Sequence, residues 1–114
     1  MSEFIFLYRG RNTSVLSPEE MQKTVEKWTV WFKELEANGH LKSPGNPLEH
    51  NGKIVRGKQK SVTDGPYAEA KDVVGGYTVI EAKDIMEAVE LSKGCPILQV
   101  EGSVEVRPVQ IFSK

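Results

Sequence analysis

The chain has 114 residues, of which 39% are hydrophobic and 27% charged, and its formal charge is -1. That length fits one domain with its own core, so we predict a single domain over residues 1–114. The balanced charge argues against a dedicated nucleic-acid or membrane-surface binder. One cysteine rules out an internal disulfide framework. The acidic start and the short apolar run after it are unlike a signal peptide or a membrane span, so we expect a cytoplasmic protein.

The first apolar segment predicts a β-strand over Phe4–Tyr8. Its residues are aromatic or branched, and no alternate position is polar. Period-two alternation places Phe4, Phe6 and Tyr8 on one face and Ile5 and Leu7 on the other. Both faces of this strand are therefore expected to be covered.

A long helix is predicted over residues 18–38. Ser17 and Glu20 have the spacing of a capping box, and Pro18 suits the first helical position. Asn38-Gly39 supplies a left-handed stop. The positions expected on its inward face follow one another at intervals of three and four: Met21, Val25, Trp28, Phe32 and Leu35.

Prolines and glycines dominate the middle of the chain, so no helix is expected there. Asn51-Gly52 favours a type I′ turn, which predicts a hairpin between Leu48–His50 and Lys53–Val55. Residues Gln59–Thr63 are expected to continue as extended chain. Asp64-Gly65-Pro66 has the composition of a turn.

The last third of the chain predicts a strand, a helix and a strand. The first strand, Tyr77–Glu81, follows Gly75-Gly76, and the last is Ser103–Arg107. Between them, Asp84 and Glu87 have capping-box spacing, and Lys93-Gly94 ends the helix. Its predicted inward residues are Ile85, Met86, Ala88, Val89 and Leu91. The element order predicts a ferredoxin-like α+β sandwich, an antiparallel sheet with two helices on one face.

Two helices of this size cover one face of such a sheet. Because the first strand is apolar on both faces, and Tyr77 and Val79 oppose Thr78 and Ile80 in the same way, the second face needs another cover. We predict a second copy of the chain there, burying about 800 Å² per partner.

The densest group of polar side chains is the segment 64–72. A turn that presents Asp64, Tyr67, Glu69 and Lys71 beside a glycine pair is able to line a small polar pocket. The alternative is a surface turn with solvated charges. Arg107 shares one face of the last strand with Glu105. If this is the dimer or cleft side, Arg107 would need a carboxylate from the protein or a ligand. The alternative is an ion pair on the surface.

Three spaced motifs identify a resemblance: Asp-Gly-Pro-Tyr-Ala-Glu-x-Lys-Asp from Asp64, Gly-Gly-Tyr ending at Tyr77, and Val-Glu-Val-Arg-Pro from Val104. In this order they resemble the DGPF (YCII-related) domain family over essentially the whole chain. The resemblance implies a dimeric α+β barrel with a cleft between sheet and partner. Family-typical polar positions in that cleft would be Asp64, Glu69, Lys71 and Arg107. Some family members occur beside sigma-factor-type regulators, and relatives include small catabolic enzymes.

One departure from the family concerns a proposed acid–base dyad of a histidine and an aspartate. The matching positions here are Trp28 and Cys95. Tryptophan does not titrate, so the dyad chemistry is not expected, and the indole would pack or form the wall of a pocket. Cys95 follows a helix C-terminus, where a thiolate is disfavoured, so a structural thiol with a pKa at or above the usual value is expected.

No cofactor and no metal site are predicted. His40 and His50 lack a third ligand at suitable spacing and are expected on the surface. On a strand, Arg56, Lys58 and Lys60 would share one face, which suits either an acidic or phosphate partner or an ordinary solvated edge.

Two functions are compatible with these features, and the sequence identifies no catalytic set. In the first, a homodimer binds a small polar or anionic metabolite in a cleft at the sheet and dimer interface, with or without an enzymatic activity of unknown class. The candidate ligand contacts are Asp64, Tyr67, Glu69, Lys71, Arg107 and Trp28. In the second, the domain is a regulatory or protein-interaction module linked to sigma-factor-type control, supported by the basic residues and by the resemblance.

Overall fold

The computed structural model describes residues 1–10, 16–65 and 72–111, and the structural statements below concern those residues. They form six strands, two α-helices and a short 3-10 helix over Pro96–Val100, which lies between the second α-helix and the last strand. In chain order the strands and α-helices are β1 Ser2–Arg9, α1 Pro18–Ala37, β2 Leu41–Ser43, β3 Gly52–Arg56, β4 Ser61–Gly65, β5 Val74–Ala82, α2 Ile85–Ser92 and β6 Ser103–Pro108.

Four strands form an antiparallel sheet in the order β2-β5-β1-β6. β1 is central: it pairs with β5 from Ser2 opposite Ala82 to Tyr8 opposite Gly76, and with β6 on its other side. With one helix after β1 and another after β5, this is the predicted ferredoxin-like topology. Strands β3 and β4 are an insertion that forms a separate two-stranded sheet.

The core lies on the helix-covered side of the four-stranded sheet. Its buried members come from alternate positions of β1 and β5, from both helices and from the segment after α2: Phe4, Phe6, Tyr8, Trp31, Leu35, Ile80, Ala82, Ala88 and Cys95. The predicted alternation along β1 and β5 is therefore confirmed.

Helix α1 begins and ends where the sequence predicts. Ser17 Oγ accepts from Glu20 N at 3.1 Å, and Glu20 Oε1 accepts from Ser17 N at 3.3 Å, which completes the capping box. The predicted inward face is partly wrong, because Val25 is 55% exposed while Trp31, which was not predicted, is 5% exposed. The buried residues of α1 lie in its C-terminal half. A 20-residue helix is about 30 Å long, and its first turns contribute no buried residue to the core.

Helix α2 is capped by Asp84, whose Oδ1 accepts from Glu87 N at 2.9 Å. Glu87 Oε1 accepts from Lys83 N at 2.9 Å. A capping box would have used the backbone N–H of the next residue, Asp84. Ile85 and Met86 were predicted inward and are 44% and 68% exposed, so that prediction is wrong. The buried positions, Ala88 and Ser92, lie four residues apart on one face of α2, and Met86 lies on the opposite face.

The predicted hairpin turn at Asn51-Gly52 is wrong. The hairpin joins β3 and β4, and its turn spans Gly57 to Lys60, both with positive φ (71° and 56°). Lys60 N donates to Gly57 O at 3.1 Å. The residues expected to form the first hairpin strand pair elsewhere, since Leu48 N donates to Gly75 O at 2.8 Å. Strand β2, which was not predicted, is the fourth strand of the main sheet.

No helix in the described ranges is both long enough and apolar enough to cross a bilayer.

Candidate functional site

The side of the four-stranded sheet opposite the helices is here named the open face. Its centre is apolar: Ile5 pairs with Val79, and Leu7 pairs with Tyr77, all four side chains half-buried. Directly opposed residues in an antiparallel pair point to the same side, so these four form one continuous surface. This confirms the predicted two-faced apolar character of β1 and β5.

Three charged side chains lie on the open face along β6 and the adjoining end of β1, and they are named the arginine cluster: Arg9, Glu105 and Arg107. Arg9 Nη1 lies 2.5 Å from Glu105 Oε1, and Arg107 Nε lies 3.9 Å from Glu105 Oε2. Arg9 Nε also donates to the carbonyl oxygen of Asp72 at 3.0 Å. Arg9 is thus fixed by two acceptors, while Arg107, 65% exposed, has one distant carboxylate.

A second ion-pair group lies at the other end of β1 on the same face. Lys42 Nζ lies 3.4 Å from Glu3 Oε2 and 3.9 Å from Glu81 Oε1. This end carries two carboxylates and one cation, whereas the arginine cluster carries two cations and one carboxylate. The open face therefore carries its excess positive charge at the arginine cluster, which is the part that attracts anions.

The Gly-Gly-Tyr motif allows a neighbouring segment to lie against β5. A Cβ on Gly76 would lie 3.2 Å from Asn46 O, and a Cβ on Gly45, whose φ is 67°, would overlap the carbonyl oxygen of Tyr77. Asn46 Nδ2 lies 3.5 Å from Tyr77 Oη. The close approach thus places the Asn46 amide beside the Tyr77 phenol. Tyr77 is the residue that pairs with Leu7.

The predicted site residues do not form one group. Arg107 projects from the open face, because it pairs with Ile5, while Trp28 packs on the helix-covered side against Tyr8. Asp64 lies on the β3–β4 hairpin, where it is ion-paired with Lys53 and its side chain is 87% exposed. The remaining candidates, Tyr67, Glu69 and Lys71, lie outside the described residues.

The two positions where the family dyad would lie are part of the packed core. The ring of Trp28 meets the ring of Tyr8 edge-on at 4.9 Å, and Tyr8 Oη donates to Thr78 Oγ1 at 2.7 Å. Burial raises the pKa of Tyr8 above its usual value and raises the pKa of Cys95 to about 12. Neither group exchanges a proton readily near neutral pH. The prediction of a structural Cys95 thiol with a raised pKa agrees with this, with burial as the main cause.

Two further predictions from the sequence are modified. His40 is half-buried rather than on the surface, because its Nδ1 lies 2.8 Å from Glu81 O. The basic residues do not form a strand face: Arg56 ends β3, and Lys58 and Lys60 lie in the turn. Among the described residues, no three His, Cys, Asp or Glu side chains are grouped so that they could hold a metal ion.

A groove also runs between α1 and the 3-10 helix. Lys27 Nζ donates to Gln99 Oε1 across it at 3.1 Å, and Glu26, Val30 and Glu34 lie along its wall. It is shallow and open, and its polar groups are largely solvated.

Sequence reasoning missed Arg9. The available signal was its position two residues after Leu7 on the same face of β1. The carboxylate that fixes it is 96 positions away in the sequence, so the pairing itself had no local signal.

Comparisons with known proteins place the chain in a family. No curated protein matches the sequence. Among solved structures, the chain is similar to the 5-chloro-2-hydroxyhydroquinone dehydrochlorinase from Burkholderia phenoliruptrix AC1100, in its complex with 2,5-dihydroxybenzoquinone, with 14% identity and a TM-score of 0.44 over 95% of this chain and 93% of that one. That similarity is too distant to transfer its chemistry. The family model of the YCII-related domain matches residues 2–113, essentially the whole chain, and the chain therefore belongs to the YCII-related domain family.

Proposed function

We propose that the chain binds a small polar or anionic metabolite on the open face, at the arginine cluster, and that a second copy of the chain covers this face. The observation that supports it most is the sharing of Glu105 by Arg9 and Arg107 beside the apolar side chain of Leu7. One carboxylate leaves two guanidinium groups with an excess positive charge. A ligand carboxylate or phosphate is the natural second acceptor.

Arg107 is the proposed ligand contact and Arg9 the fixed part of the site. Arg9 already has two acceptors, Glu105 and the Asp72 carbonyl, and its side chain is 28% exposed. Arg107 is more exposed and 3.9 Å from its carboxylate, so it is able to turn toward a ligand with little loss. The apolar floor of Ile5 and Leu7 would hold the carbon skeleton.

The second copy is proposed because an apolar sheet centre facing water is costly. Burying apolar surface stabilises by about 25 cal/mol per Å². A two-fold partner on the open face would shelter Ile5, Leu7, Tyr77 and Val79 and turn the exposed arginine cluster into the wall of a crevice.

The proposal assigns binding and no reaction. The described groups with strongly shifted pKa values, Tyr8 and Cys95, lie in the core on the helix-covered side, and their shifts take them away from neutrality. The regulatory alternative loses one of its two supports, because the basic residues do not form a stripe along one strand.

Isothermal titration calorimetry with a panel of small carboxylates and phosphates tests the proposal. Arg107→Gln is expected to weaken binding of any anion that binds the wild type by about tenfold or more, since it removes a charge-assisted hydrogen bond. Lys33→Gln, which removes an exposed cation from α1, is the matched control and is expected to bind like the wild type. Equal affinity for the wild type and Arg107→Gln would contradict the proposal, as would a wild type that binds no member of the panel.

A further inference from the structure

The β3–β4 hairpin has an exposed apolar face that none of the residues described by the structure covers. Val55 lies directly opposite Val62, and the two side chains are 64% and 62% exposed. The two strands pack chiefly on each other. A two-stranded hairpin in water is only marginally stable, and further packing on one face is the usual remedy.

The charges around this valine pair are arranged so that the face complements itself. Lys53 lies opposite Asp64, two residue pairs closer to the base of the hairpin than the valines. Alternation along the strands places both side chains on the same face as the valines. The two form an ion pair, with side chains 68% and 87% exposed. Each row of the face thus pairs an apolar residue with an apolar one, or a cation with an anion.

We propose that this hairpin face binds the same face of a second copy of the chain. A two-fold axis along the hairpin would stack the valine pairs on each other, since facing sheets pack about 10 Å apart. The same axis would place Lys53 over the partner's Asp64 and Asp64 over the partner's Lys53. The four charges then alternate in sign, which favours this pairing over contact with a uniformly charged surface. The hairpin contact is proposed within the same pair of copies that meets at the open face, so it rests on the proposed dimer but not on the ligand proposed there; a dimer with a statistical heterodimer share would overturn the hairpin contact alone.

Charge exchange between copies tests the contact directly. Asp64→Lys gives a hairpin with two cations in that row, and Lys53→Glu gives one with two anions. Each variant alone repels its own copy, whereas a mixture of the two restores opposite charges across the interface. Native mass spectrometry of the mixture at low ionic strength measures the heterodimer share, since the two variants differ in mass.

The heterodimer is expected to exceed its statistical share of about one half, with a preference of roughly tenfold. The doubly exchanged variant, with Lys53→Glu and Asp64→Lys together, keeps an opposite pair within the hairpin and is expected to self-associate like the wild type. A matched control uses the exposed pair of Glu90 and Lys93 on α2, where mixing Glu90→Lys with Lys93→Glu is expected to give the statistical share.

A statistical share for the hairpin variants would overturn the inference, because it would mean that the hairpins do not meet. A protein that shows no self-association at all would overturn it as well. Loss of binding by each hairpin variant alone without recovery in the mixture would also count against it, since a hairpin that is merely damaged behaves in that way.

Discussion

Arg9 and Glu105 come from adjacent strands at the two ends of the sequence and meet on the open face, with Nη1 and Oε1 2.5 Å apart. This contact joins the first strand to the last. It also means that the carboxylate which holds Arg9 competes with any anionic ligand for the same guanidinium groups.

Removing that competition is expected to strengthen anion binding. Glu105→Gln leaves two cations without a carboxylate in the arginine cluster, so the affinity for a bound anion should rise by about threefold to tenfold at low ionic strength. Glu81→Gln, at the other end of the open face, is the control and should have little effect. Calorimetry measures both, and unchanged or weaker binding by Glu105→Gln would show that Glu105 does not compete with the ligand.

Two linked hydrogen bonds in the core predict which of two substitutions costs more stability. Tyr8 Oη donates to Thr78 Oγ1, which donates to the carbonyl oxygen of Pro44 at 2.9 Å. Thr78→Val leaves the Tyr8 hydroxyl and the Pro44 carbonyl without partners, at an expected cost of about 2 kcal/mol. Tyr8→Phe leaves the Thr78 bond to Pro44 in place and should cost about 1 kcal/mol. Urea unfolding measures both losses. A larger loss for Tyr8→Phe than for Thr78→Val would contradict the assigned donors and acceptors of these two hydrogen bonds.

Two glycines near Tyr77 are expected to differ sharply in their tolerance of a side chain. Gly45→Ala forces a positive φ and a clash with the Tyr77 carbonyl, so it should lower the free energy of unfolding by more than about 2 kcal/mol. A Cβ on Gly75 has its nearest neighbour, Tyr8 O, 3.9 Å away, and Gly75→Ala should change stability by less than about 0.5 kcal/mol. Equal losses in urea unfolding would contradict the close approach at Gly45.

The buried thiol predicts a loss of stability at alkaline pH. In the unfolded chain Cys95 ionises with a pKa of about 8.5, whereas in the folded protein its pKa is about 12. Between these values the unfolded state binds fewer protons, so the free energy of unfolding falls as pH rises, by up to about 1.4 kcal/mol per pH unit. The contribution of the protected Cys95 thiol to stability is therefore fully present below about pH 8.5 and is lost as the pH rises above it.

Cys95→Ala should flatten this slope between about pH 9 and pH 10, below the range where Tyr8 adds a slope of the same sign. Urea unfolding at a series of pH values measures it. Identical slopes for the variant and the wild type in that window would show that the thiol is not protected in the folded state.

Much of the fold could be predicted because its signals are local. The capping box of Ser17 and Glu20, the stop at Gly39 and the alternation along β1 depend on residues within a few positions of one another. The hairpin turn could not be located in this way. Asn51-Gly52 and the Gly57 turn are both acceptable locally, and the choice is made by distant pairing of Leu48 with Gly75.

The candidate site was predicted less well, for the same reason. The family resemblance grouped Trp28 with Arg107, yet the sheet separates them: Trp28 packs on the helix-covered side and Arg107 lies on the open face. Arg107 was identified from the last motif. Its neighbour Arg9 was not, because the Glu105 contact that gives Arg9 its role exists only after β1 and β6 have paired.

Sedimentation velocity at micromolar concentration tests the central claim, that a second copy covers the open face, most directly. The wild type is expected to sediment as a dimer. Ile5→Lys, which places a cation in the apolar centre of that face, should raise the dimer dissociation constant by at least about tenfold. Val30→Lys, at a site on α1 that is 56% exposed, should leave it unchanged. A monomeric wild type, or an Ile5→Lys variant that dimerises as tightly as the wild type, would contradict the account.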